Sequence, residues 1–185
     1  TLQGYDRVIV DAECTHDGSI KHLAKFAQWG WDSFERRFLE PKRLASLKEL
    51  QLSLLRTGFS CLREGGTLIY STCSFARAQN EDIVSALLRD EAAAALEPID
   101  SLSGTPCREG SLEHTLRFDP RTSQTSALFV ARIRKRRREA TAEAQVLEMG
   151  ASAGEAQTNL DTATRAVTLH VSNQHGHALR PTQWT

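Results

Sequence analysis

Several features of membrane and secreted proteins are missing from this sequence. None of its apolar stretches is long enough to span a bilayer, and its first residues do not form a signal peptide. The four cysteines include no Cys-X-X-Cys pair, which argues against a thiol-redox module. We therefore expect reduced thiols, no membrane contact and an intracellular location, in the nucleus, the cytoplasm or an organelle.

The beginning of the chain lacks the features of a complete domain. Residues 1–4 are Thr-Leu-Gln-Gly, without an initial Met, and a buried-strand pattern follows within the first eight residues. We therefore expect this sequence to be part of a longer domain.

Net charge is also absent, because 23 basic residues balance 23 acidic ones. The distribution is nevertheless uneven, since six of the seven residues from 132 to 138 are Arg or Lys. Such a run can bind phosphates, act as a localisation signal or simply be solvated. The sequence alone does not decide among these three roles.

Hydrophobic periodicity predicts an α/β fold. A long helix begins at Pro41 and ends before Gly65 and Gly66. A second helix begins at an Asn80 N-cap and fades through residues 92–95. Strands are predicted at residues 8–12, 67–71, 115–118 and 127–133, the last two pairing as a hairpin.

These elements place the folded part at residues 1–135. Residues 136–185 are basic at first and then of low complexity, which predicts a disordered tail. Within the tail, residues 140–149 predict a short helix.

Two cysteines stand where chemistry is expected in an open sheet. Cys14 follows the strand at residues 8–12, and Cys73 follows the strand at residues 67–71. Ligands of parallel sheets bind at the carboxyl ends of strands, so the two thiols could converge on one crevice. Without further context, buried and unreactive thiols would be the ordinary explanation.

A second thiol and a carboxylate suit methylation of cytosine at C5. That carbon is a poor nucleophile until a thiolate adds to C6 and makes C5 enamine-like, so that it can take a methyl group from a sulfonium donor.

A metal is not expected, because Cys14, His16 and His22 fit no standard zinc spacing. Four aromatic residues could stack on bases, although we expect them to pack between helix and sheet; these are Phe26, Trp29, Trp31 and Phe34.

The motifs around both cysteines make a family resemblance specific. Residues 70–74 are Tyr-Ser-Thr-Cys-Ser, with Asn-Glu at 80–81, and residues 62–69 are Leu-Arg-Glu-Gly-Gly-Thr-Leu-Ile. Residues 11–14, Asp-Ala-Glu-Cys, are similar to an Asp-Ala-Pro-Cys motif. From about Gly4 to Lys135 the chain resembles the Sun (Fmu-type) family of RNA cytosine-5 methyltransferases.

The loop after Cys14 narrows this resemblance. Residues 14–21 are Cys-Thr-His-Asp-Gly-Ser-Ile-Lys, and they are closest to a Cys-Ser-Gly-Asp-Gly pattern in the eukaryotic tRNA-modifying branch of the family. Leu-Gln at residues 50–51 and residues 127–132 also fit the family. The implied partner is therefore RNA, with tRNA favoured over rRNA.

The resemblance implies a fold and a set of roles. The fold would be the C-terminal half of a Rossmann-like S-adenosylmethionine-dependent methyltransferase domain, with a mixed sheet ending in an antiparallel hairpin. Cys73 would attack C6, Cys14 would assist product release, and Asp11 would contact both the cytosine and the methyl donor, S-adenosylmethionine. Lys21 and Arg77 would contact phosphates.

The sequence departs from the family pattern in two respects. Glu13 replaces the usual Pro, which should loosen the loop and raise the pKa of Cys14. The family's Gly-rich turn and acidic ribose-binding residue are absent, so we expect the methyl donor to bind only with the missing N-terminal part of the domain. The alternative is an impaired or truncated relative that only binds RNA.

Overall fold

The computed structural model describes residues 4–137 and, as backbone, residues 166–170 and 182–183. Its helices are α1 Ile20–Trp29, α2 Trp31–Phe38, α3 Pro41–Cys61 and α4 Glu81–Asp90, and 3-10 turns lie at Arg77–Gln79 and Asp100–Leu102. Its strands are β1 Tyr5–Asp11, β2 Leu62–Thr72, β3 Ala94–Glu97, β4 Arg108–Glu109, β5 Thr115–Phe118, β6 Leu128–Lys135, β7 Ala166–His170 and β8 Thr182–Gln183.

The eight strands of the described residues belong to one mixed sheet. The order along it is β4-β5-β6-β2-β1-β7-β8, and β3 pairs with β6 outside this path. Strand β1 is parallel to both β2 and β7, whereas β6 is antiparallel to β2, β3 and β5. The predicted α/β class, the parallel pair and the β5–β6 hairpin pairing are thereby confirmed.

The core lies between this sheet and helices α3 and α4. Along β1, Val8 and Val10 are buried while Arg7 and Ile9 are exposed, as expected for a strand with one covered face. Helix α3 begins at Pro41, where the missing N–H costs least, as predicted. Other large buried core residues include Leu55, Phe59, Leu68, Tyr70, Val84, Leu87, Phe129 and Ile133.

The boundary between α3 and β2 differs from the prediction. Helix α3 ends at Cys61 and β2 begins at Leu62, so the two glycines lie inside the strand. The register with β1 shifts there, since Tyr5 pairs with Leu62 while Arg7 pairs with Thr67. Gly65 takes a φ of 73° in this irregular segment, a conformation that favours glycine.

The alanine-rich segment after α4 is a strand and not a helical end. Helix α4 stops at Asp90, and β3 pairs antiparallel with β6 from Ala94 opposite Lys135 to Glu97 opposite Arg132. Alanine has a high helix propensity, but sheet pairing decides the conformation here. The predicted continuation of the helix through residues 92–95 was therefore wrong.

The basic run begins within β6. Arg132 forms an ion pair with Glu97 at 3.2 Å, Arg134 donates to Thr67 Oγ1 at 3.1 Å, and Lys135 donates to the backbone oxygen of Leu62 at 2.9 Å. Three cations of the basic run therefore already bind groups of the protein itself.

The segment from 138 onward is described only at its two strands. Strand β7 lies within the tail for which disorder was predicted, and it pairs in parallel with β1 from Arg7 opposite Ala166 to Asp11 opposite His170. The short helix predicted at residues 140–149 lies outside the described residues. Among the described helices, none is both long and apolar enough to cross a membrane.

Candidate active site

The two cysteines singled out in the sequence meet at one end of the sheet. Strands β1 and β2 are parallel and end side by side, with Asp11 opposite Ser71. The loops that follow bring Cys14 Sγ to 3.4 Å from Cys73 Sγ. Both thiols are free; Cys14 is buried and Cys73 is partly exposed. Cys73 can therefore contact a bound ligand, while the buried Cys14 contacts the Cys73 thiol.

A histidine joins this thiol pair. His16 Nδ1 lies 3.0 Å from Cys73 Sγ and 3.6 Å from Cys14 Sγ, and the His16 backbone N–H donates to Cys14 Sγ at 3.4 Å. The sequence spacing drew attention to His16 only together with His22 and did not indicate its contact with Cys73. The signal available in the sequence was the position of His16, because the Cys-Ser-Gly-Asp-Gly pattern of the tRNA-modifying branch has Gly there.

The donor atoms of Cys14, His16 and Cys73 lie within 4.8 Å of one another. A structural zinc site uses four ligands, and no other His, Cys, Asp or Glu of the described residues joins this group. His22 stacks on the His16 ring instead, with the ring centroids 4.4 Å apart. We therefore interpret the three groups through proton and sulfur chemistry.

The two thiols differ in acidity because of how they contact each other. The hydrogen bond from Cys14 lowers the pKa of Cys73, against the effects of burial and of the Asp11 and Asp17 charges. The same hydrogen bond, together with burial, raises the pKa of Cys14 far above its usual range. Cys73 is thus the thiol that ionises first, and only a thiolate is a strong nucleophile.

Glu13 acts on a different group from the one predicted. The pKa of Cys14 is raised as expected, but by Cys73 and burial. The charge of Glu13 instead helps to raise the pKa of His16, to which the hydrogen bond with Cys14 contributes most.

The loop that carries Cys73 is held by buried polar groups. Thr72 Oγ1 donates to Asn80 Oδ1 at 2.6 Å, and Asn80 Nδ2 donates to the backbone oxygen of Ser74 at 2.8 Å. Asn80 occupies the predicted N-cap position of α4 but makes no side-chain capping bond. Its amide is used to fix the cysteine loop, so the predicted cap was correct in position and wrong in its hydrogen bonds.

The loop that carries Cys14 is tied to the same frame. Gln51 Nε2 in α3 donates to the backbone oxygen of Glu13 at 2.8 Å, and the Thr15 backbone N–H donates to Gln79 Oε1 at 3.0 Å. The Gly18 backbone N–H donates to the backbone oxygen of Cys73 at 3.1 Å, which links the two loops directly. The relative positions of the thiols are therefore set by both strands and by α3.

The remaining predicted site residues lie around this centre. Asp11 is exposed at the end of β1, where it accepts a hydrogen bond from Ser71 Oγ at 3.0 Å. Arg77 is exposed and pairs with Asp82 at 3.0 Å. Lys21 is exposed in the first turn of α1.

The aromatic residues pack on one another between α1 and α2. Phe26 contacts Trp29 and Phe34, with centroid distances of 5.4 Å in both cases. Trp31 stacks on Phe34 at 5.1 Å, yet 67% of its surface is exposed. Packing is thus confirmed, although between two helices and not against the sheet as predicted.

This mixed sheet, with α3 and α4 packed on it and functional groups at the ends of its parallel strands, matches solved structures of the class of Rossmann-like methyltransferases over part of the chain. The family described as 16S rRNA methyltransferase RsmB/F matches residues 1–134. The chain belongs to this family, which confirms the resemblance carried by the cysteine motifs.

Curated relatives include enzymes named for different RNAs. The chain is 32% identical over 133 residues to "Ribosomal RNA small subunit methyltransferase F" of Erwinia tasmaniensis, covering 71% of this chain and 26% of that protein. It is 30% identical to "tRNA (cytosine(49)-C(5))-methyltransferase" of Pyrococcus abyssi, covering 72% and 42%. It is 31% identical to "tRNA (cytosine(34)-C(5))-methyltransferase, mitochondrial" of Mus musculus, covering 68% and 32%.

Solved structures agree with the fold. One is described as NSun6 from Pyrococcus horikoshii with SFG, an analogue of S-adenosylmethionine; it has a TM-score of 0.59 and 26% identity, covering 74% of this chain and 31% of that chain. A methyltransferase homologue from the same organism has a TM-score of 0.53 at 26% identity, covering 72% and 40%. The chain spans between about a quarter and two fifths of the lengths of these relatives.

Proposed function

We propose that this chain is the C-terminal catalytic half of an enzyme that transfers a methyl group from S-adenosylmethionine to C5 of cytosine in RNA. The observation that carries the proposal is the pair of thiols 3.4 Å apart, of which the partly exposed Cys73 has the lowered pKa. A buried and protonated Cys14 beside it can donate a hydrogen bond to the thiolate. The names of the relatives support RNA cytosine-5 methylation as the reaction.

The chain's own residues act on the base in a defined order. The Cys73 thiolate forms a bond to C6, and the electron pair of the C5–C6 bond becomes available at C5. When bound, S-adenosylmethionine supplies an electrophilic methyl group. After methylation, water takes the proton from C5, the electron pair of the C–H bond re-forms the C5–C6 double bond, and the Sγ–C6 bond breaks so that Cys73 leaves as thiolate. Cys14 assists this departure as hydrogen-bond donor. The target base must first be flipped out of its stack.

Asp11 fits a position between base and donor. Its carboxylate stands exposed at the carboxyl end of β1, on the strand that leads to Cys14. It would hold the cytosine and contact the donor, but one carboxylate does not make a donor site. The relatives are much longer than this chain, so we propose that the rest of the site comes from the part of the domain that the chain does not span.

The kind of RNA and the cellular compartment are further parts of the same proposal. We favour tRNA over rRNA because Cys14, Asp17 and Gly18 match the tRNA-branch pattern and two relatives carry tRNA names, whereas the Erwinia tasmaniensis relative is named for rRNA. Lys21 is exposed and available for phosphates, and the exposed Arg77 would exchange its ion pair with Asp82 for a phosphate. We place the protein inside the cell, in the nucleus, the cytoplasm or an organelle, where thiols remain reduced.

Cysteine substitutions test the proposal in a protein that contains this chain and a donor-binding segment. Cys73→Ala should abolish methylation of cytosine in RNA, measured by transfer of a labelled methyl group. Cys14→Ala should leave protein covalently trapped on RNA, seen as a band shift that is stable to denaturant. Cys107→Ala is the matched control, because this free cysteine lies in the loop before β4.

Methylation by the Cys73→Ala protein would show that the nucleophile is assigned wrongly. A Cys14→Ala protein that forms no adduct while Cys73 remains essential would remove the release role of Cys14. RNA binding without methylation by the unsubstituted protein would favour the alternative, an impaired relative that only binds RNA.

A further inference from the structure

His16 has a backbone conformation that a side chain rarely adopts. Its φ is 60°, in the left-handed region where glycine is favoured. The related tRNA-branch pattern has Gly at the same place in the motif. Residues other than glycine in this region cost free energy and concentrate at functional sites. The strained conformation aims the imidazole at the two thiols.

The contacts of His16 hold the ring in this position. Nδ1 lies 3.0 Å from Cys73 Sγ, closer than its 3.6 Å to Cys14 Sγ. One face of the His16 ring stacks on His22 with an angle of 14° between the planes. His22 Nδ1 in turn lies 2.8 Å from Ser19 Oγ. An imidazole fixed in this way is within reach of the thiol proton.

We propose that His16 is a further catalytic residue, which takes the proton of the Cys73 thiol before attack and returns it after release. The inference rests on the proposed function of Cys73. In the first step the S–H bond breaks, its electron pair stays on Cys73 Sγ, and an N–H bond forms at His16 Nδ1. When the Sγ–C6 bond breaks, the imidazolium gives the same proton back to the departing thiolate.

The charges around the ring favour the imidazolium. The hydrogen bond with Cys14 and the negative charge of Glu13 raise the pKa of His16, against burial and the positive charge of Arg37 from α2. Burial, together with the charge of His16, lowers the pKa of the stacked His22, so His22 stays neutral beside it. Glu13 and His16 both differ from the family motif, and they act together, since the carboxylate supports a cation that glycine could not form.

The test measures the reactivity of Cys73 in the 185-residue chain without RNA or methyl donor. Alkylation by iodoacetamide is followed from pH 5.5 to 9, and the peptide containing Cys73 is quantified by mass spectrometry. The main variant is His16→Asn, because Asn tolerates the left-handed conformation and cannot take the proton. We expect alkylation of Cys73 at pH 7 to slow about tenfold, as for a thiol whose pKa rises by one unit.

Two further variants serve as companions. His16→Gly has the residue of the family pattern and should slow alkylation to a similar extent. His114→Asn is the matched control, because His114 also has a positive φ, of 66°, but lies in the turn before β5. Equal pH profiles for the unsubstituted chain and both folded His16 variants would overturn the proposal.

Nuclear magnetic resonance gives a readout that needs no histidine variant. The His16 ring is titrated in the unmodified chain and after alkylation of Cys73, which removes the thiolate that stabilises the imidazolium. The pKa of His16 should fall on alkylation, and an unchanged pKa would contradict the proton transfer.

The inference and the proposed function fail in different ways. If alkylation is independent of His16 while Cys73→Ala abolishes methylation, the inference is wrong and the proposed function stands. If Cys73→Ala leaves methylation intact, the proposed nucleophile is wrong, and the catalytic role of His16 falls with it even where the pH profiles respond.

Discussion

At the scale of single residues, the geometry of the site depends on a position without a side chain. A Cβ atom at Gly18 would lie 2.1 Å from the Cβ of Ala127 and 2.7 Å from the backbone oxygen of Cys73. Gly18 also accepts a hydrogen bond from the Ala127 backbone N–H at 2.8 Å. The two cysteine loops and the chain entering β6 therefore meet at this glycine.

Gly18→Ala should destabilise the fold and displace Cys73. Overpacking of a tight site costs about 1–3 kcal/mol, and here the obstructing atoms include rigid backbone. Urea unfolding followed by circular dichroism measures the loss of stability, and alkylation of Cys73 measures the displacement.

Gly104→Ala is the control for this prediction. A Cβ atom at Gly104 would meet nothing within 4 Å, so the φ of 80° is the only source of strain. It should leave the alkylation of Cys73 unchanged. If Gly18→Ala were as stable and as reactive as the unsubstituted chain, the loops would be less tightly coupled than their hydrogen bonds indicate.

At the scale of secondary-structure elements, a buried ion pair fastens α4 to the sheet. Glu81 is 1% exposed, and Arg117 Nε in β5 donates to its Oε1 at 2.8 Å. Arg117 Nη1 also donates to the backbone oxygen of Phe75 at 3.0 Å, two residues after Cys73. Although burial alone would raise the pKa of Glu81, the bonds from Arg117 and from backbone N–H groups hold it below its usual value.

Arg117→Met should be strongly destabilising, because it leaves a carboxylate buried without its partner. The expected loss is about 3–5 kcal/mol in the free energy of unfolding. Arg77→Met breaks an exposed pair with Asp82 and should cost about 1 kcal/mol or less. Urea unfolding at neutral pH compares the two variants. Losses of equal size would mean that the Glu81–Arg117 pair contributes no more than a surface ion pair.

The element scale also shows which parts of the fold are readable from sequence. Apolar residues alternate or cluster at residues 8–12, 67–71 and 115–118. The cores of β1, β2 and β5 were therefore predicted from a local signal. Strand β3 carries the opposite local signal, because its alanines favour a helix and only pairing with β6 makes them extended.

The same distinction applies to the site. The meeting of Cys14 and Cys73 could be predicted because both cysteines come directly after parallel strands. The role of Asn80 and the contact between His16 and Cys73 depend on side chains reaching across loops, for which spacing in the sequence carries no information.

At the scale of the whole molecule, the strands of the sheet differ in how they are supported. Strand β2 has a neighbour on each side, β1 over residues 67–71 and β6 over residues 67–72. Strand β7 is held by β1 along five residue pairs and by β8 along two, in contacts between segments far apart in the chain.

Hydrogen exchange should therefore resolve the sheet into separately opening units. We expect backbone amides of β7 to exchange at least about tenfold faster than those of β2, because a difference of about 1.4 kcal/mol in opening free energy suffices for that ratio. Exchange followed by mass spectrometry on peptides covering 67–72 and 166–170 measures it. Equal rates would mean that the sheet opens as one cooperative unit.

The pairing of β1 with β7 has a consequence during synthesis of the protein. The first pair, Arg7 with Ala166, joins residues 159 positions apart. At roughly 5–20 residues per second, β1 leaves the ribosome about 10–30 s before β7 exists. Over that interval the edge of β1 that β7 will occupy can pair with another strand, including one from the part of the domain that the chain does not span.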